Sequence, residues 1–183
     1  MTSLPELVAA VRAAAPPPGM RTRIVAVDGA GGAGKSTLAE RLAAELEGAP
    51  VVHTDDFASW DDPLDWWLRL RDDVLVPLSR GQGARFRKSD WSGSGREEWG
   101  EVAPAEFVVL EGVSASRDAF RPFLAYAIWV EAPRELRLAR GLERDGESMR
   151  AQWEAWIAEE DAYVAAERPH ERADAVVRGD VPL

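Results

Sequence analysis

One lysine set among glycines carries the strongest chemical signal in this chain. In the stretch Asp28-Gly29-Ala30-Gly31-Gly32-Ala33-Gly34-Lys35-Ser36-Thr37, the residues Gly29, Gly34, Lys35 and Ser36 fall at the spacing G-x-x-x-x-G-K-[ST]. Glycines let the backbone turn several N–H groups into one concavity that holds phosphate oxygens, and the helix that follows adds its positive end. The Lys35 ammonium can reach outer phosphates, and the Ser36 hydroxyl can ligate magnesium. Gly29, Gly31, Gly32, Ala33, Gly34, Lys35, Ser36 and Thr37 are therefore the expected phosphate-binding residues. The chain has only two lysines, Lys35 and Lys88, so a lysine standing here by chance is improbable.

Acidic residues at two further places could complete phosphoryl chemistry. Asp55-Asp56-Phe57 follows the apolar run Pro50-Val51-Val52-His53-Thr54. In open α/β sheets the C-terminal ends of strands face the ligand crevice. Transfer to a hydroxyl needs a carboxylate near that hydroxyl, although paired Asp residues also suit a turn or helix cap. Glu111 ends the run Phe107-Val108-Val109-Leu110 and precedes Gly112. A carboxylate at the end of a buried strand beside a phosphate loop is the Walker-B arrangement, which helps to hold magnesium; the alternative is a strand end facing water. Arg137, Arg140 and Arg144 share one helical face. They suit a lid that neutralises a transferring phosphoryl group, and with Glu135 and Glu143 they equally suit a solvated, salt-bridged surface. His53 has no metal partner in sequence and reads as a packed strand residue; His170 has no evident role.

Those groups need elements to hold them. Arg23-Ile24-Val25-Ala26-Val27 is a short β-branched run that predicts a buried parallel strand ending at the loop. Leu38, Leu42, Ala43 and Leu46 recur at helical spacing until Gly48-Ala49-Pro50 stops them. Further strands are expected at 50–54, 104–112, 126–131 and 173–179. Residues 3–15 predict an amphipathic helix capped by Ser3, with a stiff Pro16-Pro17-Pro18-Gly19 link after it. Asp61-Asp62-Pro63 is expected to open a helix running to Ser79. Trp60, Trp66 and Trp67 lie near the Asp pair, where either core packing or stacking on a flat substrate would use them. The segment 80–104, glycine-rich with interleaved arginines, predicts a short β excursion plus loop beside the site. After the turn Asp145-Gly146-Glu147, a long helix capped by Ser148 is expected to reach Glu167, with Trp153, Trp156, Ile157 and Tyr163 inward and Pro169 just past its end.

Composition narrows the class. A length of 183 residues fits one α/β domain over 1–183, with 1–19 as helix and link and about 137–150 as a lid region. The net charge of −10 argues against a nucleic-acid binder, which needs a basic surface. With no cysteine there is no disulfide and no thiolate site. No signal peptide and no bilayer-spanning apolar run is read, so a cytoplasmic protein without membrane contact is expected.

From about residue 22 to 179 the chain resembles the uridine kinase group of P-loop kinases. The likeness rests on Val27-Asp28-Gly29 through Thr37, Asp55-Asp56-Phe57, Pro104 through Gly112, Arg137-Leu138-Ala139-Arg140 with Arg144-Asp145, and Ala173 through Gly179. It implies an α/β, P-loop NTPase-type three-layer sandwich, a five-stranded parallel sheet flanked by helices with a small lid. It implies ATP and Mg2+ as cofactors and γ-phosphoryl transfer to a nucleoside 5′-hydroxyl. The family's D-x-F-Y aspartate falls on Asp55, which would accept the hydroxyl proton. Its L-x-E-G carboxylate falls on Glu111, a magnesium partner with Ser36, and its R-L-x-R pair on Arg137 and Arg140, near the phosphates. Asp55, Lys35 and Arg140 are thus the expected catalytic residues; Asp55, Phe57, Asp90, Trp91 and Arg144 are the expected contacts of the acceptor. Ala58 stands where the family has Tyr, Ser89-Asp90-Trp91 where it has Tyr-Asp-Phe at the nucleobase, and Ser94 near a later His. The stretch after Asp145 is shorter than usual. The matches lie in the phosphate machinery and the departures in the nucleobase pocket, so uridine, cytidine or another small hydroxyl compound is the expected partner.

Two other classes compete. A GTPase switch would normally carry an Asn-Lys-x-Asp segment, and the chain has no asparagine. A non-catalytic ATP-binding module would keep the loop and lose transfer.

Overall fold

The computed structural model describes residues 3–60, 62–91 and 93–181. Its elements in chain order are α1 (Leu4–Ala13), β1 (Arg23–Asp28), α2 (Lys35–Glu45), β2 (Val51–His53), α3 (Trp67–Leu70), α4 (Val76–Ser79), β3 (Ala84–Arg87), β4 (Trp99–Val102), β5 (Phe107–Glu111), β6 (Leu124–Glu131), α5 (Arg134–Asp145), α6 (Arg150–Glu167), α7 (Pro169–Arg172) and β7 (Ala175–Arg178). Five strands form one parallel sheet in the order β2-β5-β1-β6-β7. β1 lies at its centre, so the loop leaving β1 emerges at the C-terminal edge between β5 and β6, where α/β sheets bind ligands.

Strand alternation divides the core into two layers, because successive side chains point to opposite faces. Val25 and Val27 join Leu38, Leu42 and the α1 residues Leu7 and Val11 on one side. Ile24 and Ala26 join Leu70, Leu75, Leu78 and Phe120 on the other. α1 starts on a capping box in which the Ser3 hydroxyl accepts from the Glu6 N–H and the Glu6 carboxylate accepts from the Ser3 N–H. Within the 80–104 segment β3 pairs antiparallel with β4 across a loop, the form the expected short β excursion takes.

Two expectations about helix starts are corrected. Asp62 and Pro63 precede the helix instead of opening it: α3 starts at Trp67, passes through a π-helical turn at Arg71–Leu75 and continues into α4. The Trp66 indole donates back to the Pro63 carbonyl at 2.7 Å, closing a turn that delays the helix. Asp61, the first residue of that expected start, lies outside the described residues. Ser148 does not cap the long helix; it sits in a 3-10 turn at Glu147–Met149, and α6 begins one residue past that turn with no side-chain cap. No helix among the described residues is long and apolar enough to cross a membrane.

Candidate active site

The phosphate-loop residues form the floor of a cleft of about 1240 Å3. Gly34 takes a left-handed φ of 97°, open to glycine at little cost, and α2 then starts at Lys35 with no side chain capping its first turn. Lys35, Ser36 and Thr37 line the cleft, so the first turn presents a positive helix end there. Lys35 Nζ donates to the Ala30 carbonyl at 3.1 Å, which folds the ammonium back over the loop.

Beneath the loop lies a scaffold of buried carboxylates. Asp28 is fully buried and accepts from the N–H groups of Gly29 (2.7 Å), Ser114 (2.9 Å) and Ser116 (2.9 Å), the Ser116 hydroxyl (2.7 Å) and the Tyr163 hydroxyl (2.9 Å). Burial pushes its carboxyl up, and the bonds from Ser116, Gly29 and Tyr163 oppose that. Glu160, from α6, accepts from the Gly31 N–H at 2.8 Å, from the Trp156 indole at 2.7 Å and from Arg137 at 3.2 Å. Arg140 donates to the carbonyls of Gly32 and Gly179, each at 3.1 Å. Gly179 is required at that point: a Cβ there would stand 1.7 Å from the Ala33 carbonyl oxygen.

Three carboxylate-bearing positions surround the open space. Ser36 Oγ donates to Glu111 Oε1 at 3.2 Å, and His53 Nδ1 lies 2.7 Å from Glu111 Oε2. Burial alone would raise the Glu111 carboxyl, but the His53 hydrogen bond, Lys35 and Ser36 together hold it below its ordinary value. The His53 imidazole is held above its ordinary value, chiefly by that hydrogen bond. Asp55 opens onto the cleft floor, yet the walls around it strip away much of its solvation and push its carboxyl up; Lys35 and Arg144 oppose that shift and Glu111 adds to it. Asp56 is engaged by Lys88 at 3.2 Å.

This geometry accommodates the groups that the sequence implies. Ser36 and Glu111 bring a hydroxyl and a carboxylate together at the loop, two hard oxygen donors of the kind that hold Mg2+ while phosphates and waters fill its other positions. The uncapped helix start and the Lys35 ammonium suit the phosphates of ATP.

Most of the sequence-derived site residues meet in one place. Gly31, Gly32, Gly34, Lys35, Ser36, Thr37, Asp55, Trp91, Glu111, Arg140 and Arg144 line the cleft. Gly29 and Ala33 lie in the underside of the loop, through bonds to Asp28 and Ala30. Three placements differ from expectation. Arg137 is buried and paired with Glu160 below the loop, so it braces the site and does not line it. Phe57 is a core residue, stacked on Phe86 at 4.8 Å between centroids. Asp90 lines a smaller neighbouring cavity with Lys88 and Asp56 and accepts from the Gly95 N–H. His53, expected as a packed strand residue, instead opens onto the cleft and bonds to Glu111. The parallel register pairs His53 with Glu111 across neighbouring strands, a juxtaposition that spacing along the chain does not announce.

Comparison with known proteins bears on the fold. No protein-family model matches the chain, and no curated protein sequence does. A protein from Bacillus stearothermophilus named as a possible uridine kinase is similar over 95% of this chain and 96% of its own, with a TM-score of 0.70 and 20% identity. A protein from Silicibacter sp. TM1040, provisionally named a fructose transport system kinase, is similar over 96% of this chain and 99% of its own, with a TM-score of 0.72 and 22% identity. The chain therefore has the α/β fold of P-loop kinases, a five-stranded parallel sheet flanked by helices.

Proposed function

We propose that this chain is an ATP-dependent phosphotransferase that moves the γ-phosphoryl group to the hydroxyl of a small molecule. The observation that supports it best is the convergence of the Lys35 ammonium, the Ser36–Glu111 pair and the Asp55 carboxylate on one cleft at the C-terminal edge of the sheet. When bound, ATP with Mg2+ supplies the activated phosphoryl group and neutralises its charge.

In this reading Lys35 and the first-turn N–H groups of α2 hold the outer phosphates, and Ser36 with Glu111 holds the metal. His53 fixes the orientation of Glu111. Asp55 orients the acceptor hydroxyl and takes its proton as the new O–P bond forms and the bond from the γ-phosphorus to the β,γ-bridging oxygen breaks, leaving ADP. Its raised carboxyl is the better proton acceptor for being desolvated. Arg140 and Arg144, on the 137–150 lid region, offset the charge of the transferring group. The family resemblance points to a nucleoside 5′-hydroxyl as acceptor, and the names of the two similar structures allow a sugar hydroxyl as well.

The test is Mg2+-dependent ADP release across a panel of nucleosides, sugars and amino alcohols, with the phosphomonoester identified by 31P NMR. Release with at least one alcohol and loss of it in Asp55→Asn is expected. Silence across the panel, with ATP bound, would favour a non-catalytic ATP-binding module.

A further inference from the structure

Three tryptophans from separate segments meet at the acceptor end of the cleft. Trp60 follows the Asp pair, Trp91 lies in the loop between β3 and β4, and Trp156 lies on α6. Their ring centroids are 5.6 Å (Trp60–Trp91), 5.4 Å (Trp60–Trp156) and 5.9 Å (Trp91–Trp156) apart, and all three line the cleft. Trp60 and Trp91 nevertheless keep 41% and 40% of their surface exposed. Large indoles gathered and left open in this way mark a binding surface more than a core.

The Trp91 indole donates to the Asp55 carbonyl at 2.8 Å, which ties the ring to the candidate base. The indoles of Trp156 and Trp153 donate to Glu160 and Asp145. Arg144 is engaged with Asp145, Lys88 with Asp56 and His53 with Glu111. Among the described residues, no side chain or amide donates to the Asp55 carboxylate. Arginines lie over the rings of Trp67, Trp99 and Trp153, whereas among the described residues no guanidinium covers Trp60, Trp91 or Trp156. The surface thus offers an acceptor carboxylate beside three clustered indoles that no guanidinium covers.

We infer that this end of the cleft selects an alcohol carrying a positive charge, an amino alcohol or amino sugar; the inference rests on the phosphotransferase reading and names its substrate class. An ammonium group within about 6 Å of an indole face is attracted by the ring quadrupole, and its N–H groups or the hydroxyl satisfy Asp55. A neutral pyrimidine base would gain stacking here but no attraction between a full positive charge and the ring quadrupole.

The experiment uses the full chain with Mg2+ and a non-hydrolysable ATP analogue, and titrates matched pairs by calorimetry and indole fluorescence. Choline is compared with 3,3-dimethylbutan-1-ol, glucosamine with glucose, and uridine is included. The charged member of a pair is expected to bind about 2- to 30-fold more tightly. Trp60→Leu, at an exposed ring, is expected to bring the ratio of charged to neutral affinity to about 1 whatever it does to each affinity alone, and Trp60→Tyr to restore part of that ratio. Equal or tighter binding of the neutral members, preference for uridine, or no binding of either charged compound overturns the inference. The same mixtures with ATP separate the two readings. Turnover of uridine or glucose alone sinks the charge preference and leaves the phosphotransferase reading standing. Charge-selective binding with no ADP formed does the reverse.

Discussion

His53 Nδ1 stands 2.7 Å from one oxygen of Glu111, while the Ser36 hydroxyl stands 3.2 Å from the other. One carboxylate is thus gripped from both sides, by β2 and by the first turn of α2. Groups that orient a metal-binding carboxylate change metal affinity without touching the metal. His53→Ala is therefore expected to raise the Mg2+ concentration for half-maximal activity by about 10-fold, with Tm little changed. A Mg2+ titration of initial rates checks it; an unchanged half-saturation would assign His53 to packing.

Asp55→Asn removes the proton acceptor and keeps the shape. Turnover should fall by about 100- to 10,000-fold, with ATP affinity retained in calorimetry. Near wild-type turnover would take the base role from Asp55.

The same substitution carries a pH signature. The Asp55 carboxyl is raised in the fold by partial desolvation between the cleft walls, although the residue as a whole stays exposed. The folded state therefore holds this proton more tightly than the unfolded chain, and wild-type stability declines as pH rises from the ordinary Asp range through the raised value. Above that window the charged, desolvated carboxylate is a burden that Asn lacks. Asp55→Asn is expected to melt higher than wild type at neutral pH, and the gap should close as pH falls below the ordinary Asp range. Tm against pH for both proteins gives the answer; a variant less stable at neutral pH would contradict the burial argument. In the wild type, the acid limb of kcat/KM should lie above the usual carboxylate range for the same reason.

Glu160 offers a contrast between charge and shape. It is almost fully buried and binds the Gly31 N–H, the Trp156 indole and Arg137. Glu160→Ala strands the buried Arg137 guanidinium and should cost about 3–5 kcal/mol of stability. Glu160→Gln keeps an acceptor for Gly31 and should lose less. Urea unfolding of both variants is the measurement, and equal stability of the two would remove the ion pair from the account.

Local signals carried the sequence reading a long way. A β-branched run, a glycine loop and an apolar repeat at helical spacing are contiguous, so Gly29 through Thr37 are legible without knowledge of the rest. Glu111 was legible because a buried strand that ends in a carboxylate is itself a local pattern. What stayed hidden depends on distant segments meeting. Asp28 reaches Ser114, Ser116 and Tyr163, and Gly31 reaches Glu160 from another helix. His53 gains its partner only because β2 lies next to β5 in register. Arg137 and Arg140 share a helical face in sequence, yet one pairs below the loop and the other with loop carbonyls. α3 starts only at Trp67, after a turn in which the Trp66 indole bonds to the Pro63 carbonyl, a contact that the proline at the expected start does not announce.

A phosphotransferase of this kind must grip a nucleoside triphosphate with main-chain amides and the Lys35 ammonium beside Ser36 and Glu111. Isothermal calorimetry of the wild-type chain with ATP, with and without Mg2+, tests it most directly. Saturable 1:1 binding that Mg2+ strengthens is expected, and Lys35→Ala should weaken it by about 1.5–3 kcal/mol, the magnitude of one hydrogen bond to a charged group. Absence of heat and of saturation in both conditions, from protein shown to be folded, would contradict it.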